Sequence, residues 1–139
     1  MKLSVKSDYA ARAVLSLARR FAQGVPTRVE ELAQENGVPA NYLVQILIEL
    51  KSGQIVKSQR GKEGGYLLAR PPGQISLGDL LRCVHGPLLD TPALTDPQCP
   101  GELREAWRRL QAVLEQESAR ITFQQLLESG ADRERMFYI

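Results

Sequence analysis

Residues 57–70 read KSQRGKEGGYLLAR, a cationic segment with two adjacent glycines near its middle. Glycine has no Cβ to clash, so Gly64 and Gly65 allow the positive φ angles of a tight turn. The segment holds four basic side chains and a single acidic one. It is therefore predicted to form a basic β-hairpin with its bend at the two glycines.

The residues before this hairpin have the periodicity of three helices. Apolar residues recur at three- and four-residue steps over residues 6–22, which predicts a first helix. Thr27 begins the capping-box sequence TRVE, which predicts a short second helix over residues 28–35. An Asn-Gly turn signal follows, and a third helix is predicted over residues 39–52. A helix, a turn, a second helix and a hairpin are the parts of a winged helix-turn-helix.

The second half of the chain predicts longer and less compact elements. Ser76 is expected to cap a helix over residues 77–85. The next segment, 86–100, contains four prolines and little periodicity, which indicates a loop or an extended connection. A long amphipathic helix is predicted over residues 102–118, and Thr122 is expected to cap a short last helix.

The predicted fold and the charge divide the chain at nearly the same place. The fold class is mainly α with a small β-wing: a winged helix-turn-helix over residues 1–74, and a part over 75–139 that includes a long C-terminal helix. Residues 1–70 hold 11 Lys and Arg against 6 Asp and Glu, whereas residues 71–139 hold 7 against 10. This asymmetry predicts that the first part binds a polyanion.

The third helix has an outward face that suits the recognition of bases. At 100° per residue, the face opposite its leucines carries Asn41, Val44, Gln45, Ile48 and Ser52. Asn and Gln can form paired hydrogen bonds with an adenine edge, and Val and Ile can contact a thymine methyl group. The helix alone would equally allow packing against another element. The neighbouring basic hairpin favours DNA.

The hairpin supplies the predicted contacts beside the third helix. Arg60 lies in the turn and is predicted to enter a minor groove, where an arginine senses groove width. Lys51, Lys57 and Lys62 are predicted to contact phosphates, although for any one lysine a solvated charge is the simpler interpretation. The predicted DNA-binding residues are Asn41, Tyr42, Val44, Gln45, Ile48, Lys51, Lys57, Arg60 and Lys62.

Four stretches together resemble the Rrf2 family of bacterial winged-helix regulators: KLSVKSDYAARAVLSLA (2–18), NYLVQILIELKSGQIVKS (41–58), QRGKEGGYLLARPP (59–72) and ISLGDLLRCVHGP (75–87). The resemblance implies a sequence-specific transcription regulator, a repressor, that binds double-stranded operator DNA as a homodimer. It also implies that segment 86–100 is an effector-type loop and that the long C-terminal helix is a dimerisation helix, which crosses to the partner subunit. The implied dimer anchors are Leu103, Trp107, Leu110 and Leu114, each with a contact inside its own chain as the alternative.

The C-terminal sequence MFYI (136–139) resembles the cysteine-metabolism repressors of this family. That likeness implies control of sulfur or cysteine metabolism, with a cysteine-biosynthetic enzyme as a partner and corepressor. Two alternatives stay open. One is an iron–sulfur or thiol-based redox sensor with the same fold, and the other is an enzyme-partnered interaction module whose DNA contact is vestigial. Val44 stands where many members have glutamate, so the operator sequence does not carry over.

No cofactor or metal is expected. Cluster-binding members carry three closely spaced cysteines in the loop before the long helix, whereas segment 86–100 contains only Cys99, and Glu102 stands where some members place a further ligand. Cys99 remains a candidate redox thiol. Cys83 and His85 diverge by about 200° on a helix, so they are not predicted to form a nucleophile–base pair, and no enzyme activity is expected. No apolar run is long enough to span a membrane, no signal peptide is recognised, and the expected compartment is the cytoplasm.

Overall fold

The computed structural model describes residues 2–137, and for residues 135–137 it describes the backbone alone. The C-terminal MFYI sequence therefore lies outside the residues whose side chains are described. Within residues 2–137 the α-helices are α1 (Val5–Arg19), α2 (Val29–Asn36), α3 (Ala40–Ser52), α4 (Leu77–Val84), α5 (Gly101–Arg120) and α6 (Phe123–Phe137). Strands β1 (Val56–Gln59) and β2 (Gly65–Leu68) form one antiparallel sheet. Single turns of 3-10 helix cover Phe21–Gln23, Pro72–Gln74 and Pro92–Leu94.

Helix α1 lies at the centre of the molecule and packs against α2, α3, α4 and α6. One cluster of buried side chains joins these elements and includes Ala10 of α1, Leu47 of α3, Leu80 of α4 and Phe123 of α6, all fully buried. Burial of a side chain as large as Phe123 contributes about 1.5–3 kcal/mol. One hydrophobic core therefore contains residues from both sides of residue 74. The predicted division of the chain at that point remains a prediction, and it concerns the functions of the two parts.

The predicted capping box at Thr27 is wrong. Helix α2 begins at Val29, Arg28 is its N-cap, and no side chain bonds to the free amides there. Thr27 is 2% exposed and pairs instead with Tyr66 of β2: its amide donates to the Tyr66 carbonyl at 3.0 Å, and the Tyr66 amide donates to the Thr27 carbonyl at 2.8 Å. A long-range backbone pairing thus replaces the local cap.

The other helix ends agree with the predictions in part. Helix α1 ends at Arg19 rather than at residue 22, because the chain turns through a 3-10 segment to Gly24, whose φ is +67°. Ser76 caps α4, as predicted, in a capping box with Asp79. Thr122 also caps the last helix, accepting from the Gln125 amide at 3.2 Å. That helix has 15 residues and is not short, since the polar residues after its apolar start are mostly good helix formers.

Burial and hydrogen bonding act in opposite directions on the pKa of Asp79. Burial raises this pKa, but the Ser76 amide and the Arg82 guanidinium, at 3.0 Å and 2.9 Å, outweigh it and lower the pKa. Arg82 also reaches Glu115 of α5 at 3.3 Å, so the cap of α4 is joined to the long helix. None of the helices described over residues 2–137 is long and apolar enough to cross a membrane.

Candidate nucleic-acid interface

Helix α3 exposes the face that the sequence predicts. Its inward side chains, Leu43, Ile46, Leu47 and Leu50, are fully buried. On the opposite side Asn41 and Gln45 are exposed and Val44 is half-buried. Ile48 is 51% exposed, and no element within residues 2–137 covers this part of its apolar side chain. The face therefore offers two amides and apolar groups to an external partner.

The hairpin is a wing whose loop comprises residues 60–64. The strands pair from Val56 with Leu68 to Gln59 with Gly65, so Gly65 belongs to β2. The turn is centred on residues 62 and 63, and the predicted bend at Gly64 and Gly65 therefore lies two residues too late in the chain. The loop closes with a 3.0 Å hydrogen bond from the Gly64 amide to the Gly61 carbonyl. Gly61 provides the left-handed conformation, with φ of +109°.

The two glycines after the bend allow close approach of backbones. A Cβ on Gly64 would lie 2.3 Å from the Gln59 carbonyl oxygen, across the hairpin. A Cβ on Gly65, whose φ is +153°, would lie 2.5 Å from the carbonyl of Thr27. The backbone of the wing thus contacts the segment that precedes α2. This contact fixes how far the loop extends from the body of the protein.

The basic residues of the wing divide into two groups. Lys57, Arg60 and Lys62 are exposed, and within residues 2–137 their side chains make no hydrogen bond or ion pair. Lys51 differs, because its ammonium donates to the Ser58 hydroxyl at 2.7 Å and so joins the last turn of α3 to β1. The exposed face of α3 and the cationic wing are therefore neighbours on one surface.

Two contacts of this surface were missed in the sequence. The Arg28 guanidinium donates to the Lys62 carbonyl at 2.5 Å, which links the start of α2 to the wing loop. Tyr42, in the first turn of α3, packs edge-on against Tyr9 with a centroid distance of 5.8 Å, and the Arg12 guanidinium lies 5.6 Å from the Tyr9 ring. Arg28 and Lys62 are 34 residues apart in the chain, and Tyr9 and Tyr42 are 33 apart, so no local sequence pattern predicts either contact.

The four predicted dimer anchors lie within about 60° of one another around helix α5 and differ in exposure. Leu103 and Leu110 point outward and are 45% and 53% exposed, next to Val113 at 61%. Trp107 and Leu114 are half-buried on the side of the helix that faces its own chain. Contacts of α5 with α4 and with the Pro92–Leu94 turn account for that inward side. The outward apolar stripe has no partner among residues 2–137.

The surroundings of the two cysteines are described by their distances to neighbouring groups. Within residues 2–137 no three His, Cys, Asp or Glu side chains come together in a group that could hold a metal ion. Cys83 donates its thiol to the Glu49 carbonyl at 3.3 Å, and burial, followed by the charge of Glu49, raises the pKa of this thiol. His85 is the C-cap residue of α4. Cys99 is half-buried, with its sulfur 3.6 Å from the Pro100 carbonyl.

The family model, the sequence relatives and the solved structures that match this chain all point to one family of transcriptional regulators. Residues 3–129 match the Rrf2 family model, described as "Iron-dependent Transcriptional regulator". The chain is 33% identical, over 141 aligned positions covering all of both chains, to the HTH-type transcriptional regulator CymR of Bacillus subtilis. The solved structure of CymR, described as the global cysteine regulator of B. subtilis, superposes with a TM-score of 0.82 and 30% identity over 93% of this chain and 98% of that one. The structure of T. potens IscR superposes with a TM-score of 0.78 and 29% sequence identity, over 94% of this chain and 88% of that one.

The iron in the family description can be compared with the donor groups of this chain. An iron–sulfur cluster needs about four thiolate or imidazole ligands. The whole chain has two cysteines and one histidine, and Cys83 is bonded to the backbone of α3. The residues of this chain therefore do not fit an iron–sulfur cluster. The matching family and the similar proteins are regulators of transcription and not enzymes.

Proposed function

Since the chain belongs to the Rrf2 family of transcriptional regulators, we propose that it is a repressor that binds a partly palindromic operator as a homodimer. The observation that carries this proposal is the common surface of α3 and the wing, joined by Lys51 and Ser58. Two such surfaces, related by a twofold axis, would enter successive major grooves about 34 Å apart.

The proposed contacts divide by their chemistry. Asn41, Tyr42, Val44, Gln45 and Ile48 on α3 meet base edges and adjoining sugar–phosphate, where a good bidentate pair contributes about 1–3 kcal/mol of discrimination. On the wing, Lys57 and Lys62 neutralise phosphates and Arg60 enters the minor groove. Lys51 keeps its predicted proximity to phosphate, but its ammonium already has a partner within the protein.

The proposed dimer forms through α5. Leu103 and Leu110 are exposed on one stripe of this helix and become the central anchors, together with Val113. Trp107 and Leu114 contribute by supporting the helix from its own side, where they are half-buried. This arrangement assigns residues 1–74 to DNA binding and residues 75–139 to connection and dimerisation.

We further propose a role in sulfur or cysteine metabolism without an iron–sulfur cluster. Its support is the full-length similarity to CymR, described as a global cysteine regulator, and the donor set described above. A cysteine-biosynthetic enzyme is the proposed corepressor, and the cytoplasm the proposed compartment. Cys99 is retained as a thiol that could respond to oxidants. The visible spectrum of protein purified without oxygen tests the cluster, since absorption above 400 nm would contradict its absence.

The DNA-binding proposal is tested in two steps. Genomic fragments recovered with the protein identify the operator, and fluorescence anisotropy then measures affinity for that duplex at several salt concentrations. The variant Arg60→Ala/Lys57→Ala is expected to bind at least tenfold more weakly and to reduce the salt slope by about 1–2. The control, Arg108→Ala/Arg133→Ala, removes the same charge from α5 and α6. Equal binding by all three proteins would contradict the mechanism.

A pull-down with the cysteine-biosynthetic enzyme tests the corepressor separately. The enzyme is expected to raise the affinity for operator DNA when added to the anisotropy assay. Binding of the enzyme without any binding of DNA would instead support an interaction module with a vestigial DNA surface.

A further inference from the structure

The wing carries too little internal structure to hold its own position. Two four-residue strands joined by a five-residue loop form one isolated hairpin, and such a hairpin is marginally stable in water. Only Val56 and Leu68 of its two strands are buried in the core. The loop that carries Arg60 and Lys62 must therefore be fixed by contacts from outside the hairpin.

At the base, the Ala69 amide donates to the Ile55 carbonyl at 2.9 Å, which only extends the pairing of the hairpin with itself. Three contacts from outside the hairpin occur farther from the core. Midway, Lys51 holds Ser58 from the α3 side, and Thr27 pairs with Tyr66 from the α2 side. At the loop itself, within residues 2–137, the Arg28 guanidinium is the one side chain from another element that bonds to it, at the Lys62 carbonyl.

The Arg28 side chain takes no part in capping its own helix, because a guanidinium has only donors and cannot accept from the free amides there. Its backbone is extended at the N-cap position, with φ of −72° and ψ of 151°, and its side chain makes no capping bond. The side chain instead spans the cleft of about 370 Å³ between residues 24–28 and the wing loop. A guanidinium presents five donors in a rigid plane, so the bond to a carbonyl restricts the loop in both distance and direction.

We propose that Arg28 is a positioning residue that holds the wing loop and thereby sets the depth at which Arg60 can enter the minor groove. The inference rests on the proposed DNA-binding function and deepens it. It makes Arg28 a determinant of specificity through groove width, because a mobile loop would adapt to wide and narrow grooves alike. Arg28 acts here through the backbone of Lys62 and touches no base.

The first test uses the free full-length protein and no DNA. Nitrogen-15 relaxation measures the order parameters of the amides at residues 60–64. In the wild type and in Arg28→Lys, which keeps a charged donor, these values are expected to be close to about 0.85, whereas in Arg28→Ala they are expected to fall below about 0.6. Unchanged order parameters in Arg28→Ala would overturn the proposal.

The second test is a double-mutant cycle with Arg60→Ala in the anisotropy assay. If Arg28 acts through the loop, Arg28→Ala weakens binding about fivefold in the wild-type background and less than twofold in the Arg60→Ala background. Equal losses in both backgrounds would overturn the proposal and identify Arg28 as an independent phosphate contact. If Arg60→Ala itself binds like the wild type, the proposed function of Arg60 fails, and the relaxation data still decide whether Arg28 holds the loop.

Discussion

Replacing Gly65 with alanine should detach the wing from α2, because this glycine lies directly against the backbone of Thr27. The added Cβ would stand 2.5 Å from both atoms of the Thr27 carbonyl, and the φ of +153° is one that alanine rarely adopts. The backbone strain costs about 1–3 kcal/mol. Loss of the two hydrogen bonds between Thr27 and Tyr66 adds about 1 kcal/mol each.

The expected total is about 4 kcal/mol, which at roughly 4 °C per kcal/mol for a chain of this length lowers the melting temperature by about 15 °C. Two glycines serve as controls at the same protein concentration. Gly61 also has a positive φ, of +109°, but no atom within 4 Å of its added Cβ, so Gly61→Ala should cost about 1–2 kcal/mol. Gly73 has an ordinary φ, and a Cβ added there would make only a normal van der Waals contact, at 3.8 Å from Gln124 Cβ, so Gly73→Ala should change stability by less than about 0.5 kcal/mol.

Circular dichroism on heating measures the global effect, and hydrogen exchange of the Tyr66 amide measures the local one. The local measurement matters because the wing can detach while the helical core remains folded. We expect Tyr66 exchange to accelerate at least tenfold in Gly65→Ala and to stay within threefold of the wild type in Gly61→Ala. Equal stability of these two variants, with the Tyr66 amide protected in both, would refute the argument that close contact at Thr27 holds the wing.

Three further predictions concern the interface, the dimer and pH. Ser58→Ala removes the acceptor of Lys51 without changing its charge, so operator affinity should fall two- to fivefold with an unchanged salt slope in anisotropy titrations. Leu110→Glu on the exposed stripe of α5 should yield a monomer in sedimentation equilibrium, while Gln116→Glu, exposed on the same helix, should leave the dimer intact. Asp79 has a lowered pKa, so its contribution to stability is present above about pH 4 and is lost as the pH falls below that value. Urea titrations between pH 7 and pH 3 should therefore show that Asp79→Asn loses less stability on acidification than the wild type does.

The elements that the sequence predicts well are those that depend on near neighbours. The buried face of α3 follows from apolar residues at helical spacing, and the same residues are fully buried in the structure. The capping box of Ser76 and Asp79 needs only a three-residue separation. The wing follows from its glycines and from short apolar runs on either side. Each of these signals lies within about 15 residues of chain.

Predictions failed where a distant partner competes for the same group. The TRVE sequence is a good local cap, but the backbone of Thr27 also faces Tyr66, 39 residues later, and two backbone hydrogen bonds in a buried site outweigh one cap. Arg28 and Lys62 illustrate the same limit, since neither position has a local feature that indicates the other. The sequence was thus sufficient to predict which residues form the candidate site. The contacts that fix the geometry of this site could be found only from the folded structure, because they join residues far apart in the chain.

Helix α5 shows why an apolar stripe alone does not identify an interface. Leu103, Ala106, Leu110 and Val113 follow one another at steps of three and four residues on the exposed side, and the half-buried Trp107 and Leu114 border this stripe on the side that faces the protein's own chain. The exposed apolar side chains of two protomers, each about half exposed, would contribute about 6 kcal/mol on burial. Association costs about 4–15 kcal/mol in lost freedom. The two terms are comparable, so the stripe alone supports only a marginal dimer, and two carboxylates introduced at Leu110 should shift the balance to the monomer.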